Sequence, residues 1–293
     1  MAVTVIGAAG RMGSWFTNFL IANGYEVIAC DKNVRAAREL ARKNGCKFEK
    51  EETSAAKLSE IVILATPTLI TNALLKRLEP YMPRTTLLVE ISSSKEPLRE
   101  TIKQITKRKH PILSIHPMFG HGARTLAGRT ILVALRPRQN RLATKFLSTL
   151  RRRGARIIQT DLASHDRFVA ATLALPHFLN FAMVNTLNGI GMTPGEAREV
   201  GGTTFRLQML IAEALYHERL SNEVSILTDN EFAVRVLERL AVEMNRILGD
   251  IKGRQNTRLL HNLKDGASYV RKDVMFSSAY DRFNAAVEAS AIN

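Results

Sequence analysis

A short apolar run, Val3-Thr4-Val5-Ile6, leads into Gly7-Ala8-Ala9-Gly10-Arg11-Met12-Gly13 and then into a helix-compatible segment from Ser14 to Asn23. A second apolar run, Glu26 to Cys30, ends at Asp31. Strand, glycine turn, helix, strand and acid in this order constrain the chain more than any other feature, because they describe the first crossover of a sheet built to hold a dinucleotide. Gly7 lets the chain turn tightly. Gly10 lets the backbone approach a pyrophosphate, and Gly13 lets the helix pack closely on the strand, so that the first amides of the helix face the phosphates. Arg11 and Met12 lie in the same turn and join the three glycines as candidate cofactor contacts. Asp31 is placed to accept hydrogen bonds from ribose hydroxyls, and its charge repels a 2′-phosphate. NAD is therefore the expected cofactor, and Lys32 and Arg35 lie near enough to leave NADP open.

The same alternation continues downstream. Strand signals at Val3 to Ile6, Glu26 to Cys30, Ile61 to Ala65, Thr86 to Ile91, Ile112 to Ile115, Thr130 to Ala134 and Arg156 to Gln159 are separated by amphipathic helical stretches. This is the pattern of a Rossmann-type, doubly wound α/β domain with a parallel sheet and helices on its faces. After about Ser164 the strand signals stop, and the rest reads as long apolar-periodic helices broken at Gly189 to Pro194, Gly201-Gly202 and Gly249 to Gly253. The expected organisation is a dinucleotide-binding domain over 1–163 and an all-α domain over 164–293.

Composition narrows the class. Hydrophobic residues make up 45% of the chain, a globular balance. The net charge of +15 would suit nucleic acid or anionic ligands. The basic clusters Lys107-Arg108-Lys109 and Arg151-Arg152-Arg153 carry no interleaved aromatics, so nucleic-acid binding is not expected. No unbroken apolar stretch is longer than Ile61 to Ala65, which is too short to cross a membrane, and the chain opens on a strand without a leader pattern. Two cysteines, Cys30 and Cys46, are too few for a disulfide framework or a zinc site, and no metal is expected. A reducing cytoplasm fits these observations.

Four polar segments carry the chemistry. Ile61 to Ala65 ends in Thr66-Pro67, and Thr66 is a candidate cofactor contact at the ligand-binding edge of the sheet. Glu90-Ile91-Ser92-Ser93-Ser94-Lys95 and His116-Pro117-Met118-Phe119-Gly120 occupy strand ends on that edge, where they converge on a nicotinamide. A histidine there suits general-base work near neutral pH. Leu175-Pro176-His177-Phe178 lies in the helical half.

The glycine turn with Asp31, Ser93 to Lys95, His116 to Gly120, His165-Asp166, Leu175 to Phe178 and Phe205-Arg206-Leu207 together resemble the prephenate dehydrogenase family, in order over almost the whole chain. The resemblance implies an NAD-linked oxidative decarboxylation of prephenate to 4-hydroxyphenylpyruvate in tyrosine synthesis, with arogenate or NADP as the alternatives. It implies that His116 accepts the proton of the ring hydroxyl. Ser93 then bonds both that hydroxyl and the histidine, Arg206 holds a substrate carboxylate, and His177 lines the pocket. No fused mutase segment is visible. Lys95 either orients Ser93 or approaches the cofactor, or is solvated at the start of the next helix, and is left out of the catalytic set; His165-Asp166 is expected to cap the first helix of the second domain. The related hydroxyacid dehydrogenases, which resemble one another in a catalytic lysine on the linker helix, fit less well, since no lysine lies between Arg167 and Arg198. A cofactor-sensing binding protein would keep the glycine turn without needing Ser93, His116 and Arg206 together. The apolar stripes over Leu207 to Tyr216 and Phe232 to Leu248 point to a homodimer through the C-terminal helices.

Overall fold

The computed structural model describes residues 1–290, which divide into two compact units, Met1–Val169 and Ala170 onward. The first unit holds eight strands: β1 Ala2–Ile6, β2 Glu26–Cys30, β3 Lys47–Phe48, β4 Ile61–Leu64, β5 Leu87–Glu90, β6 Ile112–Pro117, β7 Thr130–Leu135 and β8 Arg156–Gln159. Its helices are α1 Arg11–Ile21, α2 Val34–Asn44, α3 Glu52–Lys57, α4 Thr68–Leu78, α5 Arg99–Lys107, α6 Arg141–Arg152 and α7 Leu162–Val169. The strands form one sheet in the order β3-β2-β1-β4-β5-β6-β7-β8. The order reverses between β1 and β4, the place where open sheets of this kind bind ligands.

All pairings from β3 to β6 are parallel, so the carboxyl ends of β1, β2, β4, β5 and β6 share one edge. The expectation of a wholly parallel sheet needs one correction, because β7 runs antiparallel to β6. The segment between them is an irregular loop through residues 118–129, with no helix to carry the chain back for a parallel crossover. The two-residue β3 also escaped the sequence reading, being too short to show a period.

The central strands alternate between two cores, which is why they read as continuous apolar runs. Val3, Val5, Ile61, Ile63, Leu87 and Val89 face one side with Phe16 and Leu20 of α1 and Phe146 and Leu150 of α6. Ile6, Ile28, Val62, Leu64 and Leu88 face the other with Leu74, Leu75 and Leu78 of α4 and Ile102 and Ile105 of α5. The first unit extends through α7, beyond the expected boundary after residue 163. That helix packs on β7 and buries His165, Asp166 and Val169.

The second unit is helical throughout its described residues. A π-helical turn, Ala170–Ala174, precedes α8 Leu175–Gly189, α9 Pro194–Val200, α10 Thr203–Tyr216, α11 Leu220–Thr228, α12 Glu231–Lys252, α13 Asn256–Val270 and α14 Ala279–Ala289. Its buried apolar centre is small: Ala170, Ala174 and Ala233, with Ile226, Leu227, Phe232 and Val236 against it. By length and composition the helical run Leu162–Gly189 would also suffice to cross a membrane, since an 18-residue stretch within it reaches a mean hydropathy of 1.4. Counting unbroken apolar residues overlooked it, because His165, Asp166, Arg167 and His177 interrupt the run.

Candidate active site

The glycine turn is built as its spacing demands. Gly7 has φ +86°, open to glycine at no steric cost, and a methyl there would strike the carbonyl of Ala65 at the end of β4. A methyl on Gly13 would collide with the carbonyl oxygen of Gly7, so only glycine lets α1 start this close to β1. A methyl on Gly10 would sit 3.0 Å from the same oxygen. Gly10 is also the N-cap of α1 and has no side chain to occupy the first amides. Those orphan donors and the positive end of the helix are the chemistry an anionic phosphate needs. Met12 packs against the adjoining core, and Arg11 is exposed.

Asp31, directly after β2, braces the turn. Its Oδ2 accepts the Ala9 N–H at 3.0 Å and its Oδ1 the Asn33 N–H at 2.9 Å. The Thr66 hydroxyl is engaged with that of Thr71 at 2.8 Å, while its methyl lies against Gly7. The chemistry of these residues fits a dinucleotide: the α1 amides would hold its phosphates and Asp31 would meet a ribose. Among the described residues no cluster of ligands could hold a metal ion.

A buried polar network lies at the ends of β5 and β6. Lys95, for which the sequence leaves solvent as one open reading, is 0% exposed. Its ammonium donates to Glu90 Oε1 at 2.7 Å, to the Ser92 carbonyl at 2.8 Å and to the Ile115 carbonyl at 2.8 Å. All three of its donors are thereby used. Glu90 also accepts the Ser92 N–H at 2.8 Å and the Ser114 hydroxyl. Lys95 thus ties the end of β5 to the residue just before His116. Burial pulls its pKa down, and Glu90 and then Asp166 pull it back. The sequence reading missed this pair, though Glu90 carries a signal for it: a carboxylate closing the apolar run Leu87-Leu88-Val89 on a doubly covered strand needs a cation, and Lys95 follows in the same segment.

His116, near the end of β6, keeps 4% of its surface exposed. Its Nδ1 lies 3.0 Å from Nε2 of His165, and Nδ1 of His165 lies 2.9 Å from Oδ1 of Asp166. That carboxylate oxygen also accepts the Lys95 N–H at 2.9 Å. His165 and Asp166 therefore do not cap a helix of the second unit. They sit inside the first, carried there by α7. Burial, then His165, then Lys95 push the His116 pKa well below the ordinary value, and burial with Lys95 takes His165 to about 2. Both rings are neutral at physiological pH. Burial raises Asp166, against the Lys95 amide, the Lys95 ammonium and Arg99. Ser93 is half-buried, and among the described residues the ring partner of His116 is His165, not Ser93.

In the second unit, Nδ1 of His177 lies 2.6 Å from Oε2 of the buried Glu223, a partner with no sequence signal because it belongs to another helix, α11. Arg206 lies in the first turn of α10, and its Nε is buried without a hydrogen-bond partner among the described residues. An unmet donor on a guanidinium is costly unless an acceptor arrives. The thiol of Cys30 is buried and pushed up to about 12, chiefly by burial, so it is inert.

Residues 16–159 match the family profile described as prephenate dehydrogenase, nucleotide-binding domain. A curated relative from Methanocaldococcus jannaschii, named probable arogenate/prephenate dehydrogenase, is 25% identical over 215 residues, 72% of this chain and 48% of that protein. The chain spans about half the length (48–59%) of the first curated relatives it matches. Among solved structures, prephenate dehydrogenase from A. aeolicus in complex with hydroxyphenyl propionate and NAD+ superposes with a TM-score of 0.73 at 18% identity, covering 93% of this chain and 98% of that one. Synechocystis arogenate dehydrogenase gives 0.71 at 17% identity, covering 93% and 99%. At these identities the likeness to solved structures is one of fold.

Proposed function

The chain belongs to the prephenate dehydrogenase family through its nucleotide-binding half, and from that membership we propose that it catalyses the NAD-dependent oxidative decarboxylation of prephenate to 4-hydroxyphenylpyruvate. The observation that carries this reading is a neutral, buried His116 on the strand edge that also bears the glycine turn. NAD, when bound, accepts hydride from the ring carbon that bears the hydroxyl. His116 takes the proton of that hydroxyl as the carbonyl forms. Ser93, in the segment that follows β5, is proposed to orient the hydroxyl. The bond from ring to carboxylate then breaks, its electron pair enters the ring, and carbon dioxide leaves. Aromatisation makes the step irreversible. Arg206 is the proposed anchor for a substrate carboxylate, because a guanidinium fork matches a carboxylate through two charge-assisted bonds. His177, its Nδ1 tied to Glu223, is proposed to present Nε2 to the substrate.

Curated relatives carry both prephenate and arogenate in their names, and the choice of prephenate is part of the proposal, as is a cytoplasmic homodimer. Asp31 favours NAD over NADP by repelling a 2′-phosphate. The test follows absorbance of reduced nicotinamide with prephenate and arogenate, each against NAD and NADP. Turnover strongest with prephenate and NAD supports the reading in full. Turnover confined to arogenate moves the substrate and keeps the reaction. Nicotinamide binding with no turnover on either substrate overturns it in favour of a cofactor-sensing protein.

A further inference from the structure

The proposed reaction needs a lone pair on the outer nitrogen of His116, and a neutral imidazole carries its proton on one nitrogen or the other. Three contacts decide which. Oδ1 of Asp166 faces the Lys95 amide at 2.9 Å, and an amide can only donate. The same oxygen lies 2.9 Å from Nδ1 of His165. Nε2 of His165 in turn lies 3.0 Å from Nδ1 of His116. With Asp166 ionised, Nδ1 of His165 must donate to it, which leaves Nε2 of His165 as an acceptor. Nδ1 of His116 must then donate, and its Nε2 is left with the lone pair. With Asp166 protonated and donating, both rings adopt the opposite tautomer and His116 presents N–H where the base is needed. Burial opposes ionisation of Asp166, while the Lys95 amide, the Lys95 ammonium and the Arg99 guanidinium, 3.7 Å from Oδ2, favour the ionised form.

We propose that Asp166 and His165 are positioning residues, a two-step relay that fixes the tautomer of His116 so that Nε2 accepts the substrate proton. This rests on the reading of His116 as the base. An acid that fixes the tautomer of one catalytic histidine has a known logic, and replacing such an acid by its amide loses turnover by admitting the wrong tautomer. Here the acid acts through a second imidazole. His165 is fully buried, and among the described residues its ring partner is His116, so its part is orientation and not contact with substrate.

The test reads the tautomers directly and does not depend on turnover. The full-length protein is labelled with 15N-histidine, and two-bond nitrogen–proton correlation spectra are recorded near neutral pH, with His116→Asn and His165→Gln as assignment variants. In the wild type, Nδ1 of both His116 and His165 carries the proton and both Nε2 atoms are acceptors. In Asp166→Leu, His165 loses the acceptor that holds its proton on Nδ1, and His116 gains a population protonated on Nε2. On whichever of prephenate or arogenate the wild type uses, kcat of that variant falls by about a hundredfold, the scale of a lost base, while KM stays within about twofold. His165→Gln, whose amide oxygen can accept from Nδ1 of His116, retains far more turnover than His165→Leu. That contrast separates positioning from packing and holds even if Asp166→Leu fails to fold. A wild-type His116 protonated on Nε2, or equal turnover in the Gln and Leu variants, overturns the relay. The expected tautomers in a protein that turns over neither substrate leave the relay standing and remove the proposed reaction.

Discussion

His116 and Arg206 put the proposed chemistry on two side chains that can be removed without opening a large cavity. His116→Asn is expected to lower turnover by roughly a hundredfold or more while nucleotide binding survives, because the base is lost and the glycine turn is not. Near-native turnover with an unchanged pH profile would remove His116 from the reaction. Arg206→Ala is expected to raise the substrate Michaelis constant at least about tenfold, in line with a charge-assisted contact of about 1.5–3 kcal/mol. The nucleotide constant should hold. Steady-state kinetics on a variant with an unchanged melting curve decide this, and an unaltered substrate constant would return Arg206 to a purely local role in α10.

The elements that position the site are held by one buried ion pair. Lys95 joins the end of β5 to β6 through Glu90 and the Ile115 carbonyl, with no solvent contact for either charge. Breaking such a pair from one side strands the other charge, so Lys95→Met is expected to cost about 3–5 kcal/mol in urea denaturation. Adding Glu90→Gln removes the stranded charge and keeps an acceptor for the Ser92 amide, so the double variant should recover a measurable part of that loss. A single variant as stable as wild type would mean that the two strand ends do not depend on the pair. The same logic explains why α7 belongs with the sheet: its buried polar residues find partners there.

Across the whole molecule, neutral buried histidines tie stability to pH. His165 drops from 6.5 to about 2, and His116 and His110 are also lowered, each mainly by burial. The unfolded chain binds these protons near the ordinary value and the folded chain does not. Stability is therefore full above about 6.5 and falls as pH drops below it, by up to about 1.4 kcal/mol per pH unit for each such histidine. Asp166, raised by burial, acts with the opposite sign and only from the carboxylate range upward. Melting temperatures across mildly acidic buffers check this, and a flat profile between neutral pH and the carboxylate range would contradict it. The second unit leaves Val234, Val242, Met244, Leu248, Leu260 and Leu263 exposed on its long helices. Sedimentation at micromolar concentration is expected to give a dimer, because a surface this apolar is rarely left in water. A monomer would exclude the homodimer.

The sequence by itself determined the elements whose signals are local: the glycine turn, whose spacing is dictated by backbone collisions; strands buried on both faces, which read as continuous apolar runs; and the change to helices after the sheet. It also marked His116, since a histidine closing an apolar strand stands out without any knowledge of its neighbours. Only the tertiary structure decided the rest. The reversed direction of β7 depends on a loop that carries no periodicity. Lys95 looks like an ordinary surface lysine until the fold encloses it with Glu90. His165 and Asp166 read as a helix cap because their partners, His116 and the Lys95 amide, lie far away in the chain. Glu223 meets His177 for the same reason. Polar groups acquire their roles from desolvation and from partners brought by other elements, and neither of these is a local property of sequence.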